Sequence, residues 1–236
     1  MHLSLVIPCY NEEDNLPLLL PACSKVAQPG EVEVILVDNG STDGTPHLLA
    51  ELLPRHPGCR SVRVEKNQGY GFGILSGLRA ADGRVLGWTH ADMQTDPADA
   101  QRGLALFGRY GEGIFVKGRR HGRPFGDVCF TVGMSTFETL LLGQLLWDIN
   151  AQPTLFSRAF FETWCKPPHD FSLDLYAYYQ AKRVGLPVHR FPVRFGERAH
   201  GVSHWNVNWA AKRKFIQRTV NFSLELRNKM RRDVKP

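Results

Sequence analysis

The chain has 236 residues, 43% of them hydrophobic and 22% charged, which suits one globular domain or a domain with an extension. The five cysteines are scattered, with no CxxC pair and no zinc-like spacing, so we expect reduced thiols in a reducing compartment. The net charge is +6, yet residues 212–236 alone hold nine basic and two acidic side chains, so the positive charge belongs to the tail. No nucleic-acid partner is expected, because the charge is confined to that segment and no nucleic-acid-reading motif accompanies it.

The first half of the chain alternates predicted strands and helices. The predicted strands are Leu3–Ile7, Val32–Val37, Ser61–Glu65 and Arg84–Thr89. Helices are expected to begin at Asn11 with its following acids, at Ser41–Asp43, at Gly73 and at Asp96-Pro97. This alternation predicts a Rossmann-like, doubly wound, mostly parallel α/β sheet.

The second half is less regular. We predict strands at Ile114–Val116 and Val188–Val193, and helices at Phe130–Leu146 and Phe171–Arg183. The longest apolar stretch, 132–147, is interrupted by Glu138 and Gln144 and is expected to fall short of a membrane-spanning helix. The N-terminal apolar run is short and has no basic region before it, so we interpret it as a strand and not as a signal peptide. We therefore expect the protein in the cytoplasm or on the cytoplasmic face of a membrane.

The C-terminal segment has no proline or glycine from residue 202 to residue 235, which predicts one long or broken helix. Its apolar residues recur at spacings near four and seven, with basic residues between them. These residues are Trp205, Trp209, Ile216, Val220 and Leu224. A basic helix with such a stripe either lies on an anionic membrane surface or packs its stripe against the domain. Both interpretations stay open.

Polar motifs follow the four predicted strands of the first half. Because ligands bind beyond the carboxyl ends of the strands in open α/β sheets, we expect these loops to share one edge and to form the site. The loops are Pro8–Glu13, Asp38–Thr45, Asn67–Gly73 and His90–Gln94.

These loops read P-x-Y-N-E, V-D-x-G-S-x-D-G-T, N-x-G and x-A-D-x-Q. In this order they resemble glycosyltransferase family 2, most closely the branch of dolichyl-phosphate mannosyltransferase and related polyprenyl-phosphate sugar transferases. The resemblance covers about the first 120 residues and returns at Asp148–Pro153 and Arg198–His204. It implies a catalytic domain of the glycosyltransferase A type over residues 1–204, followed by a basic amphipathic helical tail over residues 205–236.

The glycines after the third strand suggest a competing interpretation. Gly71, Gly73 and Gly77 are spaced one residue too widely for a G-x-G-x-x-G dinucleotide loop, and they follow the third strand and not the first. We interpret them as a tight strand-to-helix turn and set a dehydrogenase aside. A nucleotidyltransferase is weaker still, because no glycine-rich opening follows the first strand.

The resemblance implies a set of nucleotide-sugar contacts. Asp38 ends a buried strand, where a carboxylate needs partners, and the resemblance places it on the base or ribose. An Asx turn with Ser41 and Asp43 is the alternative for Asp38, and a helix N-terminus is the alternative for Glu12. The expected nucleotide-sugar contacts are Pro8, Tyr10, Glu12, Asp38, Asn39, Gly69, Asp92 and Arg119. For Arg119 the alternative is a solvated basic loop.

The segment His90–Gln94 is the predicted metal site. In an extended chain His90, Asp92 and Gln94 face one side, so they present one imidazole and two oxygen ligands to a divalent cation. Relatives begin this motif with aspartate, and a neutral imidazole in its place favours Mn²⁺ over Mg²⁺. The alternative is that His90 is packed or hydrogen-bonded while Asp92 and Gln94 hold the ion.

The remaining candidates concern the acceptor and the diphosphate. The resemblance suggests Asp148 and Gln152 beside the acceptor, and Arg198 with His204 in a basic loop that closes on the diphosphate. His204 stands where relatives have lysine. Asp170 and Asp174 bracket the start of a helix, and Asp170 is equally a helix cap.

The resemblance thus implies an inverting glycosyltransferase that uses a GDP- or UDP-linked sugar. The expected acceptor is a polyprenyl or dolichyl phosphate at a membrane surface. A sugar-hydroxyl acceptor is the alternative, and it would need Asp174 or Asp170 as general base, with Asp92 as the other catalytic candidate. A catalytically silent nucleotide- or glycan-binding module is the further alternative, suggested by His90 and His204.

Overall fold

The computed structural model describes residues 2–201 and the C-terminal helix over 209–233. The chain divides into two compact units. The first unit is Met1–Arg123 with Asn150–Gly201, and the second unit is Pro124–Ile149 with Val202–Pro236. This division differs from a boundary after residue 204, because an internal helix belongs with the C-terminal one.

The first unit is built on a seven-stranded sheet. The strands are β1 Leu3–Cys9, β2 Val32–Asn39, β3 Cys59–Val64, β4 Val85–Trp88, β5 Phe115–His121, β6 Thr154–Ser157 and β7 Val188–Arg194. Their order across the sheet is β3-β2-β1-β4-β6-β5-β7. Only β6 runs antiparallel to its neighbours β4 and β5, and the other neighbouring strands are parallel. The predicted mostly parallel sheet is therefore confirmed.

Helices complete both units. In chain order they are α1 Leu16–Val26, α2 Thr45–Leu52, α3 Tyr70–Ala80, α4 Asp99–Tyr110, α5 Phe125–Leu142, α6 Arg158–Glu162, α7 Ser172–Arg183 and α8 Trp209–Asp233. A short 3₁₀ turn, Leu53–Arg55, follows α2. The core of the first unit lies where the inward side chains of β1 and β2 meet the buried leucines of α1. This apolar burial fixes the sheet and leaves its polar strand ends at one edge.

The predicted helix starts are wrong by several residues. Helix α1 begins at Leu16 and not near Asn11, which has a left-handed φ of 55°. Helix α2 begins at Thr45, whose N–H donates to Asp43 Oδ1 at 3.0 Å, so Asp43 supports the start of the helix and Ser41 does not. Helix α4 begins at Asp99, two residues after Pro97. At the first two sites Asn11 and Ser41 join the two loops instead, because the side chain of each accepts a hydrogen bond from the backbone of the other loop.

Strand β6 was not predicted. It has four residues, and it enters the sheet between two strands that are far from it in sequence. Gly87 of β4 permits its close approach, since a Cβ on Gly87 would lie 2.5 Å from the carbonyl oxygen of Thr154. The strand depends on this tertiary contact and has no local periodic pattern of its own.

The second unit pairs α5 with α8. Helix α5 begins five residues before its predicted start, and its 18 residues make it the one described helix with the length and apolar composition to cross a membrane. This helix covers only part of the apolar stretch 132–147, and a single such helix is weak evidence of a span. Glu138 Oε1 of α5 accepts a 2.8 Å hydrogen bond from Ser223 Oγ of α8.

The predicted stripe of the tail lies partly on the buried side of α8. Ile216 and Val220 are half-buried and share a helix face with the buried Ser223, whereas Leu224 is 41% exposed and Leu226 is buried instead. Trp205 and the side chain of Trp209 lie outside the described residues, as does His204. The rotation of α8 follows its contact with Glu138 of α5, which requires Ser223 on the inner side.

Candidate active site

The ends of β1 to β4 lie along one edge of the sheet. Asp38 pairs with Cys9 across β1 and β2, and the Thr89 backbone N–H donates to the carbonyl of Val6 at 3.1 Å. The polypeptide beyond β4 therefore leaves the sheet beside the loop beyond β1. The predicted clustering of the strand-end loops is confirmed by this parallel pairing.

The loops after β1 and β2 are hydrogen-bonded to each other. Asn11 donates its backbone N–H to Ser41 Oγ at 3.1 Å, and its side-chain oxygen accepts the Thr42 N–H at 2.8 Å. The Glu13 carboxylate accepts the Gly44 N–H at 2.6 Å, and Asp43 Oδ2 accepts the Glu13 N–H at 3.2 Å. These bonds explain the polar composition of both motifs and hold the two loops in one arrangement.

Asp38 forms the Asx turn predicted as the alternative for it, while its contact with a nucleotide stays a prediction. Its Oδ1 accepts the Ser41 N–H at 3.0 Å, which is the Asx-type turn. Its Oδ2 is buried without a hydrogen bond and lies 4.0 Å from the Arg63 guanidinium. A buried carboxylate oxygen that accepts no hydrogen bond is available to a ligand hydroxyl or amine.

The glycines after β3 serve close packing. Asn39 donates its side-chain amide to the Gly69 carbonyl at 3.0 Å, and Gly69 has φ 111°. A Cβ on Gly71 would lie 2.7 Å from the carbonyls of Pro168 and Asp170. A Cβ on Gly73 would lie 2.9 Å from Asn39 Cγ. These contacts support the interpretation as a tight strand-to-helix turn.

The segment His90–Gln94 is turned and not extended, which corrects the predicted alternation. Met93 has a left-handed φ of 58°, and the Gln94 N–H donates to Asp92 Oδ1 at 3.1 Å. Asp92 is 5% exposed. A turn around Asp92 therefore replaces the pleat of a strand, and the Gln94 side-chain amide donates to the Gly196 carbonyl at 3.1 Å.

Arg198 reaches the same carboxylate. Its Nη2 lies 3.0 Å from Asp92 Oδ2. Glu12 is part of the same electrostatic group. Burial raises the pKa of Glu12, a hydrogen bond from Asn15 opposes that rise, and the charges of Asp92 and Arg198 act on Glu12 in opposite directions. One charged cluster therefore contains Glu12, Asp92 and Arg198, which were predicted to contact the nucleotide, the metal ion and the diphosphate respectively.

His90 lies beside a stack of aromatic rings. Tyr70 stacks on Phe171 with centroids 4.5 Å apart and on His90 at 5.8 Å. Burial lowers the pKa of His90, and the charges of Asp92 and Asp174 oppose this effect. A lowered pKa keeps the imidazole neutral near pH 7, the form in which a nitrogen can bind a metal ion.

Asp174 belongs to a buried network. Its Oδ1 accepts the Gln152 amide at 2.6 Å and lies 3.8 Å from the Lys117 ammonium, while Lys117 also donates to Thr154 Oγ1 at 2.7 Å. Burial raises the pKa of Asp174, and the charge of Lys117 is the largest influence that opposes it. The predicted acceptor residue Gln152 and the predicted base Asp174 are therefore direct partners.

The remaining candidates have other surroundings. Arg119 is exposed on β5, whereas the charge of its neighbour Arg120 helps to lower the pKa of His90. Asp170 Oδ1 accepts the Ser172 N–H at 2.9 Å, so it supports the start of α7 as an Asx turn. Asp148 is buried in the second unit, where its N–H donates to Ser135 Oγ at 3.1 Å. Pro8 is half-buried and Tyr10 is exposed at the end of β1.

The described residues do not form a complete metal site by themselves. Within residues 2–201 and 209–233, no group of three His, Cys, Asp or Glu side chains could hold a metal ion. Any cation held at Asp92 would therefore need oxygen ligands from a bound molecule as well. Asp92 Oδ2, the oxygen that faces the Arg198 guanidinium at 3.0 Å, is one anionic ligand that the chain can offer.

Sequence reasoning missed three residues of this region. Tyr70 and Phe171 were treated only as parts of a loop and a helix, and no local pattern signals that their rings stack. Lys117 was grouped with a basic loop, yet it is fully buried on β5. Its position directly after the apolar residues Ile114–Val116 was the available signal, since a lysine inside a buried strand needs a carboxylate partner.

A mostly parallel sheet with polar strand-end loops and a charged cluster at one edge is typical of α/β enzymes that bind their ligands beyond the carboxyl ends of the strands. The sequence profile described as glycosyl transferase family 2 matches residues 4–164. The chain therefore belongs to glycosyl transferase family 2.

Curated relatives agree with that assignment. The chain is 39% identical over 107 residues to the undecaprenyl-phosphate 4-deoxy-4-formamido-L-arabinose transferase of Pectobacterium atrosepticum. That match covers 43% of this chain and 32% of the relative, so the chain spans about a third of the length of that protein. The same enzyme of Pectobacterium carotovorum is 38% identical over 107 residues, with the same coverage.

Two solved structures share the fold. The first is glucosyl-3-phosphoglycerate synthase from Mycobacterium tuberculosis with Mn²⁺, UDP and glucosyl-3-phosphoglycerate, at TM-score 0.70 and 23% identity over 96% of this chain and 79% of that one. The second is a mannosyltransferase from Pyrobaculum calidifontis with GDP-Man and Mn²⁺, at TM-score 0.63 and 20% identity over 85% and 58%. At these identities the likeness concerns the fold alone.

Proposed function

We propose that this chain is an inverting glycosyltransferase that takes a sugar from a UDP- or GDP-linked donor with the help of a divalent cation. The observation that carries the proposal is the cluster of Asp92, Glu12 and Arg198 at the same sheet edge as Asp38. The nucleoside would lie on the loops after β1 and β2, where Asp38 Oδ2 and Asn39 Oδ1 are buried without hydrogen bonds. The diphosphate would lie towards Asp92.

The cation would be held by Asp92, with Gln94 and His90 beside it. When bound, it would neutralise charge that develops on the departing diphosphate. The neutral imidazole of His90 supports Mn²⁺ as the preferred ion. Two solved structures of the same fold contain Mn²⁺ with UDP or with GDP-Man, which supports the same choice.

A lipid phosphate is the acceptor that the geometry favours. A hydroxyl acceptor needs a general base with an accessible oxygen, but Asp174 is 2% exposed and is engaged by Gln152 and Lys117. The other candidate base, Asp170, uses its Oδ1 to accept the Ser172 N–H at the start of α7. A phosphate acceptor is already anionic near neutral pH and needs no such base. Relatives whose names specify undecaprenyl phosphate support this class of acceptor.

The second unit supports a reaction at a membrane surface. Helix α5 turns Ser135 and Glu138 inwards, while apolar side chains on and after it are exposed, among them Phe125 at 83% and Leu140 at 79%. A helix in water buries its apolar side chains and exposes its polar ones. The distribution on α5 is the reverse, and it suits contact with hydrocarbon. The net positive charge of residues 212–236 would attract anionic lipid headgroups.

The proposal is tested with donor and acceptor supplied together. Wild-type protein, Asp92→Asn and the control Asp82→Asn, whose carboxylate is exposed before β4, are assayed for release of UDP or GDP with undecaprenyl phosphate and Mn²⁺. We expect Asp92→Asn to lower turnover by about 10²–10³-fold, because transition-state charge loses its stabilisation, and Asp82→Asn to behave as wild type.

The donor is identified first by thermal shift with UDP- and GDP-sugars, with and without Mn²⁺. Binding of a nucleotide sugar with no sugar release from any donor and acceptor would support a silent binding module instead. Release with a sugar-hydroxyl acceptor that collapses in Asp174→Ala would support the hydroxyl alternative.

A further inference from the structure

The segment 196–201 lies across the proposed metal-binding turn. The Gly196 N–H donates to the Gln94 carbonyl at 2.8 Å, and the Gln94 side-chain amide donates to the Gly196 carbonyl at 3.1 Å. The Ala199 N–H approaches the Asp92 carbonyl at 3.4 Å. Between these contacts, Arg198 forms the 3.0 Å ion pair with Asp92 Oδ2. The segment is thus attached to the turn on both sides of the arginine.

The two oxygens of Asp92 have different partners. Oδ1 accepts the Gln94 N–H of the turn itself, and Oδ2 contacts the guanidinium. Oδ2 is therefore the oxygen that a metal ion can take without crowding the hydrogen bond of the turn. Two cations at one oxygen repel each other strongly in a partly buried site, so metal and Arg198 compete for it.

We propose that Arg198 occupies the cation position on Asp92 while the site is empty, and that it moves from this carboxylate to the donor phosphates when metal and nucleotide bind together. The inference rests on the proposed function and adds a positioning role to it. Before binding, the guanidinium offsets part of the repulsion between Asp92 and Glu12, since it attracts both carboxylates. After binding, the metal neutralises them, and the planar guanidinium pairs with phosphate oxygens.

This exchange predicts opposite effects of one substitution on two ligands. In Arg198→Gln the guanidinium that competes for Asp92 is absent. Mn²⁺ alone should therefore bind about two- to five-fold more tightly, which corresponds to the free energy typical of a partly exposed ion pair. UDP or GDP in the presence of saturating Mn²⁺ should bind roughly tenfold more weakly, because a charge-assisted contact to phosphate is lost. Arg198→Lys should lie between wild type and Arg198→Gln for both ligands.

The measurement uses the full chain. Free Mn²⁺ is followed by electron paramagnetic resonance during titration without nucleotide, and nucleotide binding is followed by calorimetry with Mn²⁺. The matched control is Arg84→Gln, which removes a 2.8 Å arginine–carboxylate pair with Glu112 at the opposite end of β4. It should leave both affinities unchanged. Circular dichroism and thermal unfolding confirm that each variant is folded.

The outcomes separate the two proposals. Equal or weaker Mn²⁺ binding in Arg198→Gln, in a protein whose wild type binds Mn²⁺ and nucleotide, would overturn the exchange and leave the proposed function standing. A simultaneous gain of affinity for both ligands would also overturn it, since Arg198 would then only obstruct the site. If wild type binds no Mn²⁺ even with UDP or GDP, the exchange and the proposed metal-dependent function both fail.

Discussion

His90 is the residue of the candidate site with two competing interpretations. It stands where the resemblance noted in the sequence implies an aspartate, it stacks on Tyr70, and burial lowers its pKa. Those observations fit a neutral metal ligand, and they also fit a packed histidine that only lines the site. The two interpretations differ in what a carboxylate at position 90 would do.

We expect His90→Asp to shift the metal preference towards Mg²⁺. A second carboxylate supplies the oxygen shell that Mg²⁺ prefers, so the ratio of turnover with Mg²⁺ to turnover with Mn²⁺ should rise by roughly tenfold. Turnover is measured over a range of both ions. His47→Asp, an exposed histidine on α2, is the control for added charge. An unchanged ratio in His90→Asp would indicate that residue 90 does not contact the metal.

At the scale of the elements, Glu138 is the unusual feature of α5. It is fully buried in an apolar helix, its Oε1 accepts from Ser223, and its Oε2 has no hydrogen bond within the described part of the chain. Burial raises its pKa from 4.5 to about 7. Between these two values the folded protein binds more protons than the unfolded chain. Stability therefore falls as the pH rises through this window.

We expect Glu138→Gln to stabilise the protein at pH 8 and to change little at pH 4.5. The gain should be on the order of 1–3 kcal/mol, because each pKa unit corresponds to about 1.4 kcal/mol and the amide stays neutral. Urea unfolding at both values of pH measures it. Glu225→Gln, at an exposed position of α8, is the control. A gain of the same size at pH 4.5 would contradict the titration of Glu138.

The elements show where sequence reasoning succeeds. Strands β1, β2 and β4 could be predicted because each is a buried apolar run that ends in a polar loop, and burial decides their state. The caps at Asn11 and Ser41 could not be predicted, because these side chains bond to each other's loops and not to their own helices. Local pattern is silent about such contacts, since the partners are 30 or more residues apart.

The candidate site could also be predicted only in part. Motifs at strand ends predicted the neighbourhood of Asp38 and Asp92, since parallel strands bring their carboxyl ends to one edge. The pairing of Asp174 with Lys117 was missed, because it joins a helix to a strand through a side-chain contact. The extended conformation predicted for His90–Gln94 was wrong, because Met93 has a left-handed φ and the segment is a turn.

At the scale of the whole molecule, the exposed apolar side chains of α5 and the basic tail predict binding to anionic membranes. We expect co-sedimentation with phosphatidylglycerol vesicles that weakens as salt is raised. The double variant Phe125→Gln with Leu140→Gln should bind about tenfold or more weakly, because buried apolar side chains are each worth about 1.5–3 kcal/mol.

The control for this prediction is Leu18→Gln, an exposed apolar residue of α1 in the first unit. It should bind vesicles as wild type does. If the double variant binds vesicles normally but loses a concentration-dependent dimer, a second copy of the chain covers this surface and the membrane is not its partner.

The bonds between the loops after β1 and β2 have a consequence for donor recognition. Four side chains already hold the backbone of both loops, so the conformational entropy of that half of the site was lost when the chain folded. A nucleoside that arrives there meets a rigid template and incurs little further ordering cost. The shape of these two loops would then determine which base is preferred. A substitution that removes the hydrogen bonds of Asn11 would lower this selectivity, even though Asn11 need not touch the base.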